Sequence, residues 1–354
     1  RIDGILYDSK IIPKKVQDAL ISRVKVMGKM DIAERRLPQD GRTSVKVGDG
    51  DVDVRISSVP TSYGERIVFR LLDKSAQLYR LGEIGLTKTN QNKLLDLIAC
   101  SHGIVLVTGP TGSGKTTTLY ASLSELNSEE KMIITIEDPI EYNLDSISQI
   151  QVATKKGLTF AAGLRSLLRQ DPDVMMVGEI RDHETAAISV QAANTGHLVF
   201  STLHTNDSAG AVTRMIDLGV EPYLVSSSLI SVIAQRLVRV ICPRCKEPLE
   251  VSDIELKALG YTRDELPHGH LFHGRGCDAC LGRGLYGRTA IYEILMINET
   301  IRDQIISRTS ASIIKQIAVE TGHLQTLRMD GALKVLAGET TMEEVFRVTQ
   351  MDVF

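Results

Sequence analysis

Residues Gly109, Pro110, Thr111, Gly112, Ser113, Gly114, Lys115 and Thr116 follow directly on the apolar run at 104–107, and this succession dictates the local path of the chain. A short apolar run reads as a buried strand, and the glycines after it let the backbone curl with its N–H groups pointing at an anion. Thr117 then opens a helix expected to run to residue 126, with its positive end facing the same point. Strand, phosphate-cradling loop and helix together predict a nucleotide site. Lys115 supplies a point charge for the β/γ-phosphates and the Thr116 hydroxyl a ligand for Mg²⁺.

The chain has 354 residues, 43% of them apolar, which is enough for two or three domains with substantial cores. Aromatic residues are sparse and Trp is absent, so the core is expected to be aliphatic, as in buried parallel strands and their covering helices. Forty-one basic residues stand against 44 acidic ones, a net charge of −3. That balance gives no general basic footprint for nucleic acid. No apolar stretch reaches the length of a membrane span and no signal peptide is seen at the start, so a cytoplasmic location is expected. The opening Arg1, in what reads as the middle of a strand, suggests part of a longer chain.

Residues 1–75 read as a small α+β module, with helical apolar spacing at Val16, Leu20, Ile21, Val24 and Met27 within 14–29. A hairpin follows, with Val45 and Val47 before the Gly48-Asp49-Gly50 turn and Val52, Val54 and Ile56 after it; residues 67–72 read as a third strand. Alternation puts Arg55 opposite the Val54/Ile56 face and Arg70 on the face of Val68 and Leu72. Residues 76–85 read as a linker. Beyond it, apolar runs at 104–107, 133–136, 174–177 and 198–203 alternate with helical segments such as 160–169 and 183–193, which predicts an α/β domain with a parallel sheet over 86–238. Cysteine pairs mark 239–290. Short helices are expected over 291–354, with Asn298 and Thr340 as N-caps and Gly338 as a stop.

Ligands of such sheets sit at the carboxyl ends of the strands, so the polar residues there are expected to converge on the phosphate loop. Glu137, Asp138 and Glu141 follow the second run, Glu179 and Arg181 the third, and His204, Thr205, Asn206 and Asp207 the fourth. This array suits phosphoanhydride hydrolysis, in which Mg²⁺ is held, a water oriented and charge neutralised. Glu179 is the leading candidate to orient the water and Glu137 its competitor; either acid read blandly caps a helix or pairs with an arginine. His197 and His204 are read equally as structural histidines or catalytic contacts. Arg165 and Arg181 are candidates to neutralise charge, or else ordinary solvated arginines.

Cys242, Cys245, Cys277 and Cys280 form two CxxC pairs, whose four thiolates suit a closed structural zinc rather than a disulfide in a reducing compartment. The separation of the pairs exceeds a usual zinc-ribbon gap, so an insertion is expected to loop out. Cys100, alone in a helical apolar pattern, is expected in the core.

In order along the chain stand the phosphate loop, Ile136-Glu137-Asp138-Pro139-Ile140-Glu141, Val177-Gly178-Glu179-Ile180-Arg181-Asp182 and Ser201-Thr202-Leu203-His204-Thr205-Asn206-Asp207. This series resembles the secretion ATPases of the type II/type IV pilus superfamily over essentially the whole chain. The resemblance implies a RecA-like P-loop core, a PAS-like N-terminal module truncated at its start, a homo-hexamer, and ATP, Mg²⁺ and Zn²⁺ as ligands. It further implies that Arg55 and Arg70 reach the nucleotide from the N-terminal module. The cysteine element points to the assembly or secretion branch. The segments Ser62-Tyr63-Gly64-Glu65-Arg66 and Arg35-Arg36-Leu37-Pro38-Gln39-Asp40-Gly41-Arg42 are most similar to the type II secretion ATPases, with pilus-assembly ATPases next. In that family an inner-membrane secretion platform is the docking partner, through a far N-terminal domain not seen in this sequence. A nucleic-acid translocase is a weaker alternative, given the charge and the lack of an aromatic, basic stripe.

Overall fold

The computed structural model describes residues 1–48, 50–73 and 78–351. Asp49 of the expected turn and residues 74–77 around the expected linker lie outside the described residues. Contacts divide the chain into two units, Arg1–Gln77 and Leu78–Phe354.

In the first unit the expected helix forms as α1 (Gln17–Met27), preceded by a short 3₁₀ turn. Strands β1 (Gln39–Val47), β2 (Gly50–Thr61) and β3 (Gly64–Asp73) make an antiparallel sheet in that order. Alternation along β2 sends Val54 and Ile56 into a small core with Val24 and Met30. Gly41 is required where β1 crosses the end of α1: a Cβ there would lie 2.2 Å from the carbonyl oxygen of Gly28. Lys25 is buried rather than solvated, paired with Glu65 at 2.5 Å. Arg42, Arg55 and Arg70 are direct cross-strand neighbours.

The second unit is built on a seven-stranded sheet. Along the chain come α2 (Lys88–Ile98), β4 (Gly103–Thr108), α3 (Lys115–Leu126), β5 (Ile133–Glu137), β6 (Ser148–Gln151), α4 (Phe160–Leu167), β7 (Val174–Val177), α5 (His183–Asn194) and β8 (Leu198–Leu203). They continue as α6 (Ser208–Asp217), α7 (Pro222–Ser228), β9 (Leu229–Ile241), β10 (Lys246–Leu249), α8 (Asp253–Leu259), β11 (Leu271–Gly274) and β12 (Leu285–Met296). The chain closes with α9 (Glu299–Ile306), α10 (Ala311–Glu320), α11 (Leu327–Leu336) and α12 (Met342–Val348).

The strand order is β12-β9-β4-β8-β7-β5-β6, with every pairing parallel except that of β12 with β9. Each residue of β4, β5, β7 and β8 is buried, because helices cover both faces. Alternate residues of β4 serve opposite layers: Ile104 and Leu106 join one core, Val105 and Val107 the other. The sheet continues across the boundary expected at residue 290. β12 spans it, and the cysteine element with the β10–β11 hairpin is an insertion between β9 and β12.

Two local expectations are corrected. Cys100 is exposed, since it lies just past the end of α2 and its turn faces outward. Thr341, not Thr340, stands at the N-cap of α12, and Thr340 is buried with its hydroxyl donating to the Arg239 carbonyl at 2.7 Å. Within the expected linker, Leu81 and Ile84 are buried in the core while residues 78–80, 82 and 83 are exposed. Asn298 caps α9 as expected, and Gly338 follows α11 at φ 68°. Among the described residues no helix is long and apolar enough to cross a membrane.

Candidate nucleotide site

Because β4, β8 and β7 are parallel neighbours, the loops that follow them leave the same edge of the sheet. Gly109, Gly112 and Gly114 all have positive φ, which a side chain would resist. A Cβ on Gly109 would lie 2.5 Å from the Gln235 carbonyl oxygen, so only glycine lets β9 come this close. Lys115 Nζ donates to the carbonyls of Gly109 (2.7 Å) and Pro110 (3.2 Å). Ser113 Oγ is buried and has no hydrogen-bond partner. A loop with an unpartnered buried hydroxyl and a lysine folded onto its own carbonyls, at the start of α3, fits a phosphate chain. Thr116 and Thr117 occupy the first turn of that helix, beside the loop.

Glu179, just past β7, keeps 12% of its side chain exposed and is ion-paired with Arg181. His204 Nε2 lies 3.5 Å from its other carboxylate oxygen. Burial lowers the Lys115 pKa below its ordinary value, with Glu179 opposing that shift and Arg236 adding to it. The phosphate-loop lysine, Glu179, Arg181 and His204 are thus brought together from three strand ends.

Glu137 is the last residue of β5 and is 3% exposed. It accepts hydrogen bonds from Thr135 Oγ1 (2.6 Å), Gln149 Nε2 (3.1 Å) and the Tyr120 hydroxyl. Burial pushes its pKa up, and these three donors only partly offset the rise. Of the remaining acids near the strand ends, Asp182 caps α5 and Asp207 caps α6.

Two candidates make other contacts. His197 precedes β8, about 20 Å from its carboxyl end at roughly 3.3 Å per residue; its Nδ1–H donates to the Ala192 carbonyl at 2.9 Å and closes the end of α5. Arg165, on α4, is exposed and paired with Glu184 at 2.5 Å instead of with Glu179. Arg55 and Arg70 belong to the first unit, where Arg55 faces Asp40 at 3.9 Å.

Sequence reasoning missed Arg236 on β9, whose Nη2 donates to the carbonyl and side-chain oxygens of Asn206, each at 3.1 Å. A signal was present, since Gln235-Arg236 interrupts an apolar run, but nothing linear joined that run to the sheet.

The four cysteines converge. Their Sγ atoms all lie within 4.8 Å of one another, with three of the separations at 3.8–3.9 Å. A tetrahedron with Zn–S bonds of about 2.3 Å has edges of about 3.8 Å, so the cluster fits zinc. Backbone N–H groups of Gly276, Cys277 and Gly284 donate to Cys245 or Cys280 Sγ at 3.1–3.3 Å, an outer shell that favours thiolates.

A family model described as "T2SSE: Type II/IV secretion system protein" matches residues 1–347. The chain is 52% identical over 352 residues to "Type II secretion system protein E" of Aeromonas hydrophila, covering 99% of this chain and 70% of that one. It is 48% identical over 356 residues to "Type IV pilus assembly ATPase PilB" of Myxococcus xanthus, covering 100% and 63%. Among solved structures, that of the pilus retraction motor PilT with bound ADP superposes with a TM-score of 0.64 at 26% identity, covering 96% of this chain and 82% of PilT. Matched across nearly its whole length by one family, with its motif boxes folded onto one sheet edge, the chain belongs to the type II/IV secretion system proteins.

Proposed function

We propose that the chain is the cytoplasmic ATP-hydrolysing motor of a type II secretion machine, coupling hydrolysis to pseudopilus assembly and protein export. The observation that carries the reading is the meeting of Lys115, Glu179 and His204 at the phosphate loop. Lys115 leaves its backbone carbonyls to bind the β/γ-phosphates, and the backbone N–H groups of residues 111–117 hold them. Thr116 would ligate Mg²⁺, which when bound would supply charge neutralisation to the phosphates. Glu179 orients the attacking water, Arg181 and His204 fix its carboxylate, and the enclosed Glu137 braces β5. Type IV pilus assembly is the second reading, favoured by the PilB relative at 48% identity.

The motor is proposed to act as a homo-hexamer at an inner-membrane secretion platform, in which Arg55 and Arg70 close onto the nucleotide. Their placement side by side on adjacent strands supports a paired role. The cysteine cluster is proposed to hold one structural zinc with no open position for a water.

Lys115→Ala is expected to weaken nucleotide binding, whereas Glu179→Gln leaves binding intact and lowers turnover about 10²–10⁴-fold. Steady-state ATPase rates and equilibrium titration with a fluorescent ATP analogue separate the two defects. Near-normal turnover in Glu179→Gln with loss in Glu137→Gln would move the role to Glu137. For the arginines, specific activity should rise with protein concentration as the hexamer assembles, and the Arg55→Ala/Arg70→Ala double variant should lose turnover at unchanged ATP affinity. Concentration-independent activity in a light-scattering monomer contradicts this. For the cysteines, elemental analysis of protein purified without chelator should find one zinc per chain; metal-free protein with reactive or oxidised thiols would rule the site out.

A further inference from the structure

Glu293, on β12, has no exposed surface. One of its carboxylate oxygens accepts the Ser208 N–H (2.9 Å) and the Ser208 hydroxyl (2.6 Å). The other accepts the Leu327 N–H at 3.3 Å and faces Lys315 Nζ at 3.6 Å. Ser208 and Leu327 are the first residues of α6 and α11, and Lys315 lies on α10. A single buried carboxylate therefore ties two helix N-termini and a third helix to the edge strand of the sheet. The dipoles of α6 and α11 both favour it.

What precedes Ser208 gives the arrangement its meaning. The loop 204–207 carries His204 to Glu179, and it is held at three points. Thr108 binds the N–H of Thr205 at 2.9 Å, Arg236 binds Asn206, and Glu293 binds Ser208. Asn206, Asp207, Arg236, Glu293 and Lys315 line one shared cavity. Burying a carboxylate is costly unless every lone pair is matched, and apolar neighbours such as Ile291, Ile294 and Leu295 show that β12 packs well without charge.

We infer that Glu293 is a positioning residue for ATP hydrolysis: it fixes the 204–207 loop, and through it His204, and makes that placement depend on α10 and α11. The inference rests on the proposed ATPase reading. It gives the terminal helices a route into the site through Ser208 that needs no contact of their own with nucleotide.

Glu293→Gln keeps the shape but turns an amide donor towards either Ser208 or the Leu327/Lys315 pair, which are themselves donors. The expected result is a kcat for ATP lowered about ten- to hundredfold, the scale of a small misplacement far from the chemistry. KM and analogue affinity stay unchanged, and the backbone amides of 204–208 exchange hydrogen faster. Ser208→Ala, which removes one hydroxyl, should move both readouts the same way by less, and it decides the matter if Glu293→Gln does not fold. Glu344→Gln is the comparison: Glu344, on α12, is also buried and accepts the Arg239 N–H (2.9 Å) and Arg239 Nη2 (2.7 Å). Its loss should lower thermal stability while kcat and exchange at 204–208 hold. Wild-type kcat or unchanged exchange at 204–208 in Glu293→Gln overturns the inference, as does an equal fall in kcat in Glu344→Gln. A wild-type chain without ATPase activity would sink the functional reading instead, and the exchange comparison would still decide whether Glu293 positions the loop.

Discussion

Thr108, the wholly buried last residue of β4, holds the catalytic edge together. Its hydroxyl lies 3.1 Å from the Leu203 carbonyl and 2.8 Å from Thr205 Oγ1, and it accepts the Thr205 N–H at 2.9 Å. Thr108 and Leu203 are register partners on adjacent parallel strands. The phosphate loop and the loop bearing His204 therefore start from one rung of the sheet. Lys115 and His204 inherit their relative placement from the most rigid part of the fold, which is how a scaffold keeps groups on separate loops within reach of one ligand.

From that edge two carboxylates diverge in character. Glu137 ends inside β5, surrounded by Tyr120, Thr135 and Gln149, and burial raises its pKa. Glu179 lies two residues beyond β7, partly open, with Arg181 and His204 on its two oxygens. Paired acids in contrasting environments take different roles. The enclosed one has its oxygens occupied by neutral donors of the fold, while the more exposed one meets a guanidinium and an imidazole, and this difference underlies the assignment of Glu179.

Much of this was legible in the sequence, because the signal was local. The runs at 174–177 and 198–203 matched β7 and β8 residue for residue, since strands buried on both faces are continuous and apolar. The phosphate loop and the cysteine spacing likewise carry their chemistry within a few residues. What was hidden depends on pairing between distant segments. Nothing near Glu293 announces that β12 will lie against β9 and meet the start of α6, and Arg236 reads as a strand residue until Asn206 is beside it. Lys25 looks like a solvated helix position because its partner Glu65 is two strands away. His197 lies in the same segment as His204 but at the other end of one strand, a separation that only the strand's length reveals.

The most direct test of the central claim is a crystal structure of this chain with Mg²⁺ and a non-hydrolysable ATP analogue. Lys115 Nζ is expected withdrawn from the Gly109 and Pro110 carbonyls onto the β/γ-phosphates, with the γ-phosphate between Lys115 and Glu179. Lys115 still bound to those carbonyls, or an analogue seated away from residues 109–117, would contradict it.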